Sequence, residues 1–265
     1  MKGQSTQADA PYVLRADSDG VTTLTLNRGE RFNPLSEEML SALQQHIADI
    51  AAHESVRVVV LAAQGRAFCA GHDLKQMRAS PSAAYYKKLF DQCSKLMLAI
   101  QQMPQPVIAR VQGIATAAGC QLVAMCDLAV ASTDAKFAVS GVNYGLFCST
   151  PSVALSRNVP RKQAMEMLLT GDFIDAETAL ERGLVNRVVA PEALDDEIAK
   201  LVAAIVAKPA VAIAMGKQMF YRQAEMGIAA AYQLAGETMA CNMMDEAALE
   251  GVQAFIEKRT PSWKR

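Results

Sequence analysis

Tryptophan occurs once and histidine three times in this 265-residue chain, and its six cysteines include no CxxC pair. Each scarcity excludes a class of protein. A disulfide framework needs cysteines at recurring close intervals, whereas Cys69, Cys93, Cys120, Cys126, Cys148 and Cys241 are scattered, as suits reduced, buried thiols. A metal centre needs clustered ligands, yet His46 and His53 share what reads as the surface face of one helix and His72 stands apart. No metal is expected. A membrane span needs about eighteen consecutive apolar residues, and no run approaches that length. Neither sign of charge dominates: 26 Lys and Arg stand against 27 Asp and Glu. Bulk electrostatics therefore give no reason to expect a nucleic-acid partner, although Lys258–Arg265 (KRTPSWKR) is locally basic. No GxGxxG or GKS sequence marks a nucleotide site. The first ten residues, MKGQSTQADA, have neither the apolar stretch of a secretory signal nor the arginine-rich pattern of a transit peptide, which points to the cytoplasm.

What the chain does hold is a 51% hydrophobic composition, enough to bury a large core. Val21–Leu26 and Arg57–Leu61 read as short strands, with a helix over Ser36–His53 between them. Ser36 ahead of Glu37 and Glu38 is the pattern of an N-cap followed by acids that meet the positive end of the helix dipole. Ser82–Met103 reads as a long helix stopped by the two prolines of MPQP, and Val107–Val111, Leu128–Ser132 and Phe137–Val139 as strands. From Arg161 helical patterns dominate, over Lys162–Leu169, Asp175–Arg182, Pro191–Ala207, Pro209–Glu225 and a last block reaching Glu257. The fold class is α/β.

Two segments carry the chemistry: Phe68–Met77 (FCAGHDLKQM) and Gly113–Cys126 (GIATAAGCQLVAMC). Glycine and alanine leave peptide N–H groups unshielded, and the first N–H groups of a helix have no partner within it. Such segments suit an oxygen that acquires negative charge, as in an oxyanion hole. One of them alone would read as close helix packing. Two, about fifty residues apart, form a pattern.

That pattern, with Thr23–Pro34, the Cys126-Asp127 pair, Leu168–Val189 and Phe255–Trp263, resembles the crotonase (enoyl-CoA hydratase/isomerase) superfamily over almost the whole chain. The second segment together with Gly141–Lys162 is most similar to one poorly understood sub-group of it. The resemblance implies a crotonase-like (ClpP/crotonase) spiral of stacked ββα units over residues 1–190. It also implies a helical C-terminal region, residues 191–265, that packs subunits into homotrimers, often paired as homohexamers. The apolar stretch Ala212–Gly227 suits either that interface or the core. It further implies a coenzyme A thioester partner, with coenzyme A as part of the substrate and no separate cofactor. The backbone N–H groups of His72 and Ala118 would grip the thioester oxygen, and Ala70, Leu74 and Lys75 would contact the adenine and phosphate end of coenzyme A. Each oxyanion-hole donor is worth about 2.7–4 kcal/mol of transition-state stabilisation in enzymes that use one.

Hydratases of this family activate water with two glutamates. Here Gln121 occupies the first position and Gly141 the second. An amide cannot act as a base, and glycine has no side chain. Losing both carboxylates implies poor hydration, and installing them by Gln121→Glu and Gly141→Glu is expected to restore part of it. Cys120, Ser140, Asn143, Tyr144 and Ser149 lie nearby as replacements, none with an adjacent base. Naphthoate synthases of the superfamily also have a glycine at the second position and use bound bicarbonate, so an anion near Ser140 and Gly141 stays open. The His72 side chain stays open too, as an acid–base group or as an idle neighbour of its own amide. Asp127 reads as a buttress. Three functions follow: an acyl-CoA isomerase or lyase that stabilises an enolate without glutamates, a catalytically silent acyl-CoA binder or regulatory subunit, and a weak hydratase.

Overall fold

A computed structural model describes residues 10–263. The readings of residues 1–9 and of the last two residues of the basic tail lie outside the described residues. Ten strands form among them: β1 (Val13–Ser18), β2 (Val21–Leu26), β3 (Val58–Ala63), β4 (Ala67–Cys69), β5 (Val107–Val111), β6 (Ile114–Thr116), β7 (Leu128–Ser132), β8 (Lys136–Ala138), β9 (Ile174–Asp175) and β10 (Arg187–Val189). The helices are α1 (Glu37–Ala51), α2 (Leu74–Ala79), α3 (Ala83–Gln102), α4 (Ala118–Met125), α5 (Ser149–Asn158), α6 (Arg161–Thr170), α7 (Ala176–Glu181), α8 (Leu194–Val206), α9 (Ala210–Gln223), α10 (Ile228–Met243) and α11 (Glu246–Ile256).

The strands make two sheets, ordered β1-β2-β3-β5-β7-β10 and β4-β6-β8-β9. β3, β5 and β7 are parallel neighbours in the first, and β4, β6 and β8 in the second. The pairs β3/β4, β5/β6 and β7/β8 therefore each give one member to each sheet before a helix carries the chain to the next level. This is the stacked ββα spiral that the sequence predicts. Antiparallel pairs, β1 with β2 and β8 with β9, close one end of each sheet.

β3 shows why the stack holds. All six residues of VVVLAA are buried, as in a parallel strand covered on both faces. Val59 and Leu61 join the main core with Met39, Leu43 and Leu96, while Val58 and Val60 turn to the other face and meet Leu194 and Ile198 of α8. α1 begins as predicted, with the Ser36 Oγ accepting the Met39 N–H, and buries Met39, Leu40, Leu43, Ile47 and Ile50 on one stripe. α3 is likewise capped by Ser82, whose Oγ accepts the Tyr85 N–H at 3.2 Å. Seven elements escaped the sequence reading: β1, β4, β6, β9, β10, α2 and α5. β4 and β6 are three residues long, too short for a period to show, and α5 has a weakly patterned sequence, STPSVALSRN. Among the described residues no single helix is long and apolar enough to cross a membrane.

Candidate active site

The two small-residue segments lie side by side because glycine lets them. Gly71, at φ +87°, occupies backbone space that favours glycine, and a Cβ placed on it would lie 3.1 Å from the Ala118 nitrogen and 3.0 Å from the Ala117 Cβ. The loop carrying His72 thus abuts the start of α4. At Gly119 a Cβ would lie 2.1 Å from the Cys69 carbonyl oxygen, so the first turn of α4 rests directly on β4. Ala117, which precedes α4, takes φ +50°, a conformation that costs an alanine about 1–3 kcal/mol. Its N–H donates to the Ala138 carbonyl at 3.0 Å, which ties the strained residue to the end of β8.

From the other side the His72 loop is held by segment 32–35. Ala70 N–H donates to the Phe32 carbonyl at 3.0 Å and Leu35 N–H to the Gly71 carbonyl at 2.8 Å. Asp73 then caps α2 by accepting the Lys75 and Gln76 N–H groups at 2.9 and 3.1 Å, and Arg31 pairs with it at 3.0 Å. Between the two segments the amides of His72 and Ala118 donate to no acceptor among the described residues.

Both residues line one cavity, together with Ala70, Leu74, Met77 and Phe90 on one side and Ser140, Gly141, Tyr144, Phe147, Cys148 and Pro151 on the other. The structure therefore gathers His72, Ala118, Gly141, Ala70 and Leu74 around one space. Lys75 is exposed outside it, and Gln121 is buried on α4 behind the wall, its Oε1 without a partner among the described residues. Among the described residues no Asp, Glu, Lys or Arg lines the cavity.

Gly141 is enclosed by its own loop. Its N–H donates to the Cys148 Sγ at 3.3 Å and its carbonyl accepts the Leu146 N–H at 3.0 Å. A Cβ there would lie 2.4 Å from the Leu146 carbonyl oxygen and 2.8 Å from the Cys148 Sγ. The position assigned to the second glutamate thus has no room for a side chain. The anion alternative also loses support, because the Gly141 amide is already engaged by a thiol.

The substitute acid–base candidates are occupied or inert. Ser140 and Thr116 hydroxyls pair at 2.9 Å, Asn143 Nδ2 donates to the Gly171 carbonyl at 3.3 Å, and the Ser149 hydroxyl donates to the Phe147 carbonyl at 3.4 Å. Burial pushes the Cys120 thiol up to about 12, well away from a thiolate at neutral pH. Tyr144 is 77% exposed at the mouth. Burial also pushes the His72 imidazole down to about 4, where it is a weak base.

Asp127 is a buttress, as its sequence context suggests. Its Oδ2 accepts the Val107 N–H and the Lys217 ammonium, both at 2.7 Å, and its Oδ1 accepts the Tyr221 hydroxyl at 2.9 Å. Lys217 also donates to the carbonyls of Ile100 and Gln105, each at 2.9 Å. α9 is thereby fastened to the base of α4. The trace of this in the sequence is Lys217, four residues before Tyr221, directly after the seven-residue stretch AVAIAMG without a polar side chain.

A family model described as Enoyl-CoA hydratase/isomerase matches residues 16–265. The chain belongs to that family. A crystal structure of an enoyl-CoA hydratase from Mycobacterium smegmatis superposes with a TM-score of 0.95 at 67% identity, covering 96% of this chain and 99% of that one. The human enoyl-CoA hydratase domain-containing protein 3 superposes with a TM-score of 0.92 at 42% identity, covering 95% and 100%. The curated rat protein of the same name is 44% identical over 92% of this chain and 82% of its own length. These matches confirm the crotonase fold and the sub-group that the second segment and Gly141–Lys162 indicate. They also correct one expectation. The rat and human relatives are named as mitochondrial, which overturns the cytoplasmic location read from the first ten residues. Ten polar residues do not encode a compartment.

Proposed function

We propose that this family member binds coenzyme A thioesters and stabilises the oxyanion or enolate of the thioester between the backbone N–H groups of His72 and Ala118, without a pair of carboxylates. The observation that supports this reading best is the approach of the two segments, 3.1 Å from a Cβ at Gly71 to the Ala118 nitrogen, beside a cavity with no acidic side chain. The leading form of the proposal is an isomerase or lyase in which the hole polarises the carbonyl and acidifies the adjacent carbon. Ala70 and Leu74 would face the coenzyme A moiety, with Lys75 outside the cavity and near the phosphates. The thioester is the substrate, and no further cofactor takes part.

A specific observation favours the second reading, a silent acyl-CoA binder. Every thiol or imidazole near the hole whose pKa is displaced is displaced toward its neutral form, which leaves no evident proton carrier. Weak hydration through water held by Gln121 is the third reading. Assembly as a homotrimer or homohexamer through residues 191–265 belongs to the proposal. It is supported by Ile228, Tyr232, Met239, Met244 and Phe255, which are 69–84% exposed in the single chain.

Calorimetric titration with acetyl-CoA and crotonyl-CoA is expected to saturate, and absence of saturable binding contradicts the whole reading. Deuterium uptake at the carbon next to the thioester, followed in D2O, divides the first two forms. Catalysed exchange supports enolate chemistry; saturable binding without exchange supports the silent binder.

A further inference from the structure

The Thr23–Pro34 segment carries a buried amide that neither sheet nor cavity accounts for. Asn33 is fully buried and takes φ +50°, left-handed space that asparagine tolerates better than most residues. Both ends of its side chain are bonded. Oδ1 accepts the Arg28 N–H at 2.8 Å, and Nδ2 donates to the carbonyls of Gln64 and Ala67, each at 2.9 Å. The Asn33 N–H returns to the Arg28 carbonyl at 3.0 Å, so residues 28–33 form a closed loop pinned to the entry of β4. Within that loop Phe32 takes φ +61°, an unusual conformation for a bulky residue, and its carbonyl accepts the Ala70 N–H.

Two residues beyond Asn33 the same segment reaches the proposed hole. The Leu35 N–H donates to the Gly71 carbonyl at 2.8 Å, and Leu35 bridges His72 in parallel register. The Gly71 carbonyl and the His72 N–H belong to one planar, trans peptide, so they point in opposite directions. Whatever fixes the carbonyl therefore aims the N–H. Ala118 needs no such clamp, because its amide is set by the first turn of α4.

We infer that Asn33 is a positioning residue: by holding segment 28–35 it keeps Leu35 on the Gly71 carbonyl and so aims the His72 amide at the thioester oxygen, without touching the ligand. This inference rests on the hole proposed above and deepens it.

The test compares acetyl-CoA with S-ethyl-CoA, in which a methylene replaces the carbonyl, by calorimetry on the wild type, Asn33→Gly and Asn33→Ser. Glycine suits the left-handed backbone, and in Asn33→Gly the Ala67 carbonyl keeps a bond from the Gln112 Nε2 at 3.1 Å, so that variant removes the amide and little else. Two neutral hydrogen bonds correspond to a preference of about thirtyfold for acetyl-CoA, and one to about fivefold. The ratio is expected to fall from about thirtyfold in the wild type to about fivefold in Asn33→Gly, with S-ethyl-CoA affinity kept within about twofold. Asn33→Ser, whose hydroxyl can replace one donated bond, should lie between them. A purely structural role for Asn33 would weaken both ligands together and leave the ratio unchanged. A wild-type preference that survives in both variants overturns the inference, and so does failure of both variants to fold, which would make Asn33 a determinant of the whole fold. Equal affinities of the wild type for the two ligands instead remove the hole itself.

Discussion

Crotonyl-CoA hydration by the Gln121→Glu, Gly141→Glu double variant stays at least about 100-fold below that of a relative bearing both glutamates, since each positioned acid or base typically contributes about 10²–10⁴-fold. Sequence alone predicts a partial rescue, because it treats residue 141 as an empty place. The structure shows that place filled. A Cβ at 141 would lie 2.4 Å from the Leu146 carbonyl oxygen, and backbone yields less readily than the end of a flexible side chain. The loop through Leu146–Cys148 would have to open before a carboxylate could reach the hole. Gln121 adds a second obstacle, since its side chain is buried behind the cavity wall rather than in it. Steady-state assay of the wild type and of the double variant checks this. Hydration comparable to that of a glutamate-bearing relative, in either protein, contradicts the account.

Lys217→Met is expected to cost about 3–5 kcal/mol of folding stability, the usual penalty for removing one partner of a buried ion pair. The side chains of Lys217 and Asp127 are 6% and 14% exposed, so the carboxylate left behind is largely cut off from water. Burial works to pull the Lys217 ammonium pKa down, and the Asp127 charge opposes it. Removing Asp127 as well leaves no stranded charge. The double variant Asp127→Ala, Lys217→Met should therefore lose less than the sum of the two single variants, a coupling that urea denaturation of all four proteins measures. A loss below about 1 kcal/mol for Lys217→Met would show that the pair behaves like an exposed one.

The strand and helix rhythm was legible because it rests on local patterns. β2, α1, α3, β5 and β7 all lie within a few residues of their predicted bounds, with Ser36 capping α1 as its position suggests. The juxtaposition of His72 with Ala118 was legible for a different reason. Closely approaching backbones need small residues, and those are visible as GHD and TAAG in the sequence. Features formed by distant or purely backbone geometry were not visible. Lys217 and Asp127 are 90 residues apart, and nothing local to either predicts their meeting. The closure over Gly141 depends on where the Leu146 carbonyl points, which no side-chain pattern encodes. Phe90, which belongs to neither small-residue segment, helps to wall the cavity.

The most direct measurement is a crystal structure of the protein with a bound acyl-CoA thioester. The account predicts the thioester oxygen about 2.7–3.1 Å from both the His72 and the Ala118 nitrogens, with no carboxylate in contact with the acyl group. A thioester oxygen bound elsewhere, or an Asp or Glu side chain reaching the reacting carbons, would contradict it.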